Sequence, residues 1–168
     1  MKNRKFEGIK FNEKQRNDIC INMKSELGEQ NYAFVEKFFD YILNSEAKYK
    51  VIISRSCLNL FNLYYRGNYE LPLVEIEGSV ISDSALFAYI PEMVSEYLEW
   101  GFFPEILIAD DILVHGKKIN LLLDTFILKL YNYIKEKSVH KEYPDIEHDI
   151  SKAISIITIR QSDNTLLM

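Results

Sequence analysis

Hydrophobic positions in the first part of the chain recur every three or four residues. This period predicts two successive helices, over residues 12–27 and 30–44, separated at Gly28. The predicted apolar stripes are Ile19, Met23 and Leu27 on the first helix and Val35, Phe38, Phe39 and Ile42 on the second. Because both helices precede every predicted strand, we expect residues 1–45 to form a helical flank or hood packed against a later sheet.

From residue 46 onward, short β-branched runs alternate with helical segments. Strands are predicted at 49–53, 71–76, 80–81, 106–109 and 153–159, and helices at 57–66, at 91–100 and after Gly116. Strands that alternate with helices form largely parallel sheets covered on both faces. We therefore expect residues 46–168 to form one Rossmann-like α/β domain, with a mainly parallel sheet flanked by helices.

Polar residues follow two of the predicted strands. The segment Ser54-Arg55-Ser56 comes after strand 49–53, and the pair Asp110-Asp111 closes the continuous apolar run of residues 106–109. Such a run is typical of a strand buried on both faces. Ligands of open parallel sheets bind beyond the carboxyl ends of the strands. We therefore expect the two polar segments to form one ligand site.

The turn at residues 114–118 has the composition of an anion-binding site. It opens a helix, whose free N–H groups and dipole favour negative charge. Gly116 lets the backbone approach an anion closely, and Lys117 and Lys118 add positive charge. The preceding carboxylates are costly to bury unless a metal, a sugar diol or backbone N–H groups receive them. Carboxylates can bind the hydroxyl groups of a sugar, and the neighbouring turn can bind a phosphate group. Together these two features indicate a sugar-phosphate site.

The stretch Ile106–Ile119 resembles the phosphoribosyl pyrophosphate (PRPP) motif of type I phosphoribosyltransferases. That motif consists of an apolar strand, two acidic residues, two apolar residues, a polar pair, glycine and a helix. The resemblance implies a phosphoribosyltransferase-like fold and a glycosyltransferase that transfers phosphoribose to a nitrogenous base and releases pyrophosphate. It implies that Mg²⁺ arrives with PRPP, held by the pyrophosphate and the ribose hydroxyls without direct protein ligands.

The same resemblance assigns roles to individual residues. Asp110 and Asp111 would orient the ribose 2′- and 3′-hydroxyls. The backbone of the following turn would hold the 5′-phosphate, and its residues are Val114, His115, Gly116, Lys117 and Lys118. The segment Ser54-Arg55-Ser56 resembles the pyrophosphate loop of the family.

Several positions depart from the family pattern. Val114 stands where many members have threonine and purine-salvage members have aspartate, and His115 stands where a threonine hydroxyl meets the phosphate. No glycine follows Arg55, and no segment after residue 76 resembles the catalytic loop. The family also continues beyond the position that matches Met168. These departures favour a degenerate or truncated member, and they leave open a catalytically inactive nucleotide-sensing or protein-interaction module.

Other readings of the acidic pair fit less well. A response-regulator receiver would carry the pair on its first strand and needs an aspartate and a lysine on later strands, whereas the last predicted strand ends in Thr158-Ile159-Arg160. A P-loop ATPase requires G-x-x-x-x-G-K-[ST], which the chain lacks. The acidic and histidine side chains between His140 and His148 lack the tight spacing of a metal site and are interpreted as a solvated loop.

Composition and charge limit the classes of partner that the chain can be expected to bind. The net charge of −5 disfavours a nucleic-acid partner, which needs clustered Lys and Arg. No stretch reaches the ~18 apolar residues of a membrane span. Cys20 and Cys57 form no CxxC pair and are expected to be free thiols in a reducing cytoplasm. We expect a small-molecule ligand and cytoplasmic location, with a homodimer or protein partner left open.

Overall fold

The computed structural model describes residues 8–67, 71–77, 80–81, 85–113, 117–137 and 146–161. Within these ranges the helices are α1 (Glu13–Leu27), α2 (Glu29–Asn44), α3 (Arg55–Tyr64), α4 (Ala85–Ala88), α5 (Ile90–Trp100), α6 (Lys117–Lys137) and α7 (Ile146–Ala153). The strands are β1 (Tyr49–Ile52), β2 (Ile76–Glu77), β3 (Val80–Ile81), β4 (Ile106–Leu113) and β5 (Ile154–Gln161). The predicted α/β class is therefore confirmed.

A parallel sheet of three strands, in the order β1-β4-β5, forms the centre of the molecule. On the outer side of β1, Leu73 forms an isolated parallel bridge with Ile52. The predicted strand over residues 71–76 is thus reduced to this bridge and to Ile76–Glu77, which pairs with Val80–Ile81 in a short antiparallel hairpin. Two backbone hydrogen bonds, Ile52 N to Pro72 O and Val74 N to Ile52 O, hold the segment against β1.

Strand β4 is longer than its apolar run predicts. We expected Asp110 and Asp111 to close the strand after Ala109, but β4 continues to Leu113. The reason is the unequal length of its neighbours. Pairing with β1 ends at Ile52–Ala109, whereas pairing with β5 continues to Leu113–Gln161. The acidic pair therefore lies within β4, at the point where one of its two neighbours stops.

Helices cover both faces of the sheet, because the side chains of each strand alternate between two apolar clusters. Ile106 and Ile108 face a cluster formed with α4, α5, α6 and α7, while Leu107 and Ala109 face a cluster formed with α2 and α3. All four side chains are almost fully buried. The predicted buried stripe of α2 is confirmed, since Val35, Phe38, Phe39 and Ile42 belong to the second cluster.

The first helix lies outside the core. None of its residues is buried, and Leu27 of its predicted apolar stripe is 42% exposed. Arg16 fastens α1 to the end of α3, because its Nη1 donates to the carbonyl oxygens of Leu63 at 3.0 Å and Tyr65 at 2.9 Å. Among the described residues, no helix is long and apolar enough to cross a membrane.

Candidate functional site

The site lies where the chain reverses direction across the sheet. After β1 the chain passes outward to Leu73 and then returns to the other side of β1 to form β4. Open α/β sheets bind ligands at such a topological switch point, beyond the carboxyl ends of the strands. The last β1–β4 contact is the hydrogen bond from Ile53 N to Ala109 O at 3.0 Å. Ser54 and Asp110 follow these two residues directly, so both predicted segments lie at the switch point.

A hydrogen bond joins the two segments. The Ser54 hydroxyl donates to Asp111 Oδ1 at 2.8 Å and accepts from the Cys57 backbone N–H at 3.1 Å. Ser54 is therefore the N-cap of α3, in the extended conformation that an N-cap serine adopts. The hydroxyl of Ser56, two residues further on, lies 3.2 Å from the Ser54 hydroxyl. The short serine-rich segment thus both starts the helix and directs a donor at the acidic pair.

Asp110 is a buried carboxylic acid, with 5% of its surface exposed. Burial, together with a hydrogen bond to the carboxyl group of Asp111, raises the pKa of Asp110 to about 6. Its Oδ1 also accepts from the backbone N–H of Asp111 at 2.9 Å. Near neutral pH this group is close to its titration point, so it can both accept and release a proton.

Asp111 has the opposite character. Burial acts to raise its pKa, but hydrogen bonds from the hydroxyls of Ser56 and Ser54 and from Asp110 outweigh burial and lower the pKa. Asp111 is therefore the ionised member of the pair. The buried thiol of Cys57 lies close by, and its pKa is raised by burial and by the charges of Asp111 and Asp110. Such a thiol stays protonated and is not a nucleophile.

Arg55, the first residue of α3, forms an ion pair at the same sheet edge. Its Nε and Nη2 contact Oε1 of Glu75 at 2.7 Å and 2.6 Å. Glu75 follows the segment that bridges to β1, so a third part of the chain reaches this edge. No local pattern around Glu75 predicts this contact, because the contact depends on the bridge between Leu73 and Ile52.

Thr158 was also absent from the predicted site. In the parallel register of β4 and β5 it lies opposite Asp110, and it is 8% exposed. Partners in a parallel register project from the same face, so a buried hydroxyl lies beside the buried carboxyl group. Only the pairing of two distant strands reveals this neighbour, and a hydroxyl residue inside an apolar strand is the single local signal.

Three residues of the predicted phosphate turn lie outside the described ranges, namely Val114, His115 and Gly116. Lys117 and Lys118 form the start of α6 and are exposed. His140 and Asp145 also fall outside the described ranges, while Glu147 and His148 lie in α7.

The acidic pair is compatible with a metal ion that a ligand carries. Carboxylate oxygens are the donors that Mg²⁺ prefers, and this ion commonly combines one or two carboxylates with ligand phosphates. Within the described ranges, no group of three or more His, Cys, Asp or Glu side chains converges on one point. Among the described residues the acidic pair alone would therefore not hold Mg²⁺, and an ion that entered with a ligand would depend on oxygens of that ligand and of water.

A shallow surface hollow of about 370 Å³ lies at the opposite end of the sheet. Its walls include Asp40, Tyr41, Glu46 and Glu105, which stand at the end of α2 and before β1 and β4. The hollow does not include the acidic pair, since its walls come from α2 and from residues that precede β1 and β4. We assign the candidate site by the convergence of polar groups at the switch point and not by the hollow.

Comparisons with protein-family models, with curated proteins and with solved structures found no match to this chain. The assignment of a function therefore depends on the residues and contacts of the site.

Proposed function

We propose that this chain binds a sugar phosphate or nucleotide at the switch point between β1 and β4, on a phosphoribosyltransferase-like fold. The observation that carries the proposal is the 2.8 Å hydrogen bond from Ser54 to Asp111. It joins the start of α3 to the acidic pair, and so unites the two segments whose order along the chain resembles the pyrophosphate loop and the PRPP motif.

Each part of such a ligand has a chemical counterpart in the site. The carboxylates of Asp110 and Asp111 can accept hydrogen bonds from a vicinal diol, as in ribose. Lys117 and Lys118, at the start of α6, bring positive charge and the positive end of the helix dipole to the 5′-phosphate. If PRPP and Mg²⁺ bind, Arg55 and the ion would neutralise the pyrophosphate as it leaves C1 of the ribose and a base nitrogen takes its place.

A binding module without catalysis is the second candidate. The specific observation in its favour is the ion pair between Arg55 and Glu75, because it neutralises the cation that the pyrophosphate would need. The departures from the family motif at Val114 and His115 also favour a binding module without catalysis. Such a module would sense a nucleotide or control a protein partner.

Isothermal titration with PRPP and Mg²⁺, and separately with AMP and GMP, tests the proposal. We expect micromolar binding that is lost in the double variant Asp110→Asn, Asp111→Asn. Asp124→Asn, an exposed change on α6, serves as the matched control and should bind as the natural chain does. Binding that survives in the double variant would refute the site. Release of pyrophosphate from PRPP with a nucleobase would then separate the transferase from the binding module.

A further inference from the structure

We propose that Glu75 determines the charge preference of the ligand site, by holding Arg55 in an ion pair that a second phosphate group must displace. This inference rests on the proposed function. It assigns to Glu75 the choice between ligands with one phosphate group, such as ribose 5-phosphate, and ligands with an additional pyrophosphate, such as PRPP.

The position of Glu75 follows from the backbone contacts of the segment before it. Leu73 pairs in parallel with Ile52, and Val74 N donates to Ile52 O at 2.7 Å. These contacts bring Glu75 to the carboxyl edge beside the start of α3. There two N–H groups of Arg55 converge on a single Glu75 oxygen, at 2.7 Å and 2.6 Å.

The ion pair changes the charge that a ligand meets. Arg55 is the cation next to Ser54, which itself donates to Asp111. With Glu75 bound, the charge of Arg55 is compensated, while Asp111, the hydrogen-bond partner of the neighbouring Ser54, adds negative charge at the same edge. A pyrophosphate at this edge therefore meets net negative charge, whereas a single 5′-phosphate at Lys117 and Lys118, where the proposed function places it, does not depend on Arg55.

The ion pair is also open to competition. The side chains of Arg55 and Glu75 are 54% and 26% exposed, so water screens their attraction. Phosphate oxygens match the guanidinium fork as well as a carboxylate does. A pyrophosphate group can therefore displace Glu75 as the partner of Arg55. Separating the ion pair costs free energy, which reduces the affinity of the chain for the pyrophosphate ligand.

The test compares the dissociation constants of PRPP with Mg²⁺ and of ribose 5-phosphate for the natural chain and for Glu75→Gln. We expect Glu75→Gln to bind PRPP about fivefold more tightly, the equivalent of one exposed ion pair, and ribose 5-phosphate within about twofold of the natural chain. Glu46→Gln removes the same charge at the opposite end of the sheet, and it should leave the ratio of the two constants unchanged.

A second comparison, in an Arg55→Met background, isolates the contribution of the ion pair. In that background, Glu75→Gln should no longer change the ratio of the dissociation constants of PRPP and ribose 5-phosphate. A change in this ratio that persists would mean that Glu75 acts without Arg55. An unchanged ratio or weaker PRPP binding in Glu75→Gln would overturn this inference and leave the proposed function standing. Failure of the natural chain to bind either ligand would overturn both.

Discussion

Asp110 and Thr158 lie opposite each other in the parallel register of β4 and β5, and both are buried. Two residues earlier the same register pairs Ile108 with Ile156, so this face of the sheet changes from apolar to polar within one repeat. A buried carboxyl group in this position lowers the stability of the fold when it ionises. A carboxyl group at this cost is understandable if it serves a ligand.

Stability should depend on pH through Asp110. Its pKa is raised from 3.8 to about 6, so the folded chain binds this proton more tightly than the unfolded chain does. Stability from this group is thus full below pH 4 and is lost as the pH rises towards 6. Relative to the natural chain, Asp110→Asn should gain about 2 kcal/mol of unfolding free energy between pH 4 and pH 7.

Urea unfolding of both proteins across this range measures the difference. Asp124→Asn is the control, because its carboxylate is exposed on α6. Curves for Asp110→Asn and the natural chain that remain parallel from pH 4 to pH 7 would show that Asp110 is not a buried acid with a raised pKa. The lowered pKa of Asp111 affects stability only at more acidic pH, outside this window.

Removal of the Ser54 hydroxyl should weaken both the helix and the site. Ser54→Ala loses the acceptor for Cys57 N–H and the donor to Asp111. We expect a loss of about 1–2 kcal/mol in unfolding free energy, as for other N-cap serines. Ser54→Thr keeps a hydroxyl and should lose less. An unfolding midpoint for Ser54→Ala equal to that of the natural chain would contradict this account of the N-cap.

Arg16 should stabilise α1 more than any of its apolar residues does. Arg16→Met keeps the aliphatic stem but removes the hydrogen bonds to Leu63 O and Tyr65 O. We expect the free energy of unfolding to fall by about 2 kcal/mol and amide hydrogen exchange to become faster throughout α1. Lys14→Met, an exposed change on the same helix, should have no such effect. Unaltered exchange in Arg16→Met would mean that other contacts hold α1.

The sequence predicted the helices and strands that have a strong local pattern, but not always their burial, since the apolar stripe predicted for α1 is not buried. The buried stripe of α2 and the apolar run of β4 can be predicted because each pattern is complete within a short stretch of the chain. The end of β4 could not be predicted, because it depends on how far β5 pairs beyond β1. The positions of Glu75 and Thr158 depend in the same way on strand register between distant segments, which no single stretch of sequence contains.

The central claim, that a sugar phosphate binds at the switch point, is tested most directly by nuclear magnetic resonance. Backbone amide shifts of the labelled chain would be followed during titration with ribose 5-phosphate. We predict the largest changes at Ser54–Cys57, at Asp110–Leu113, at Lys117–Lys118 and at Thr158, with Glu46 and Glu105 unchanged. Changes centred on Glu46 and Glu105, or no changes at saturating ligand, would contradict the assignment of the site.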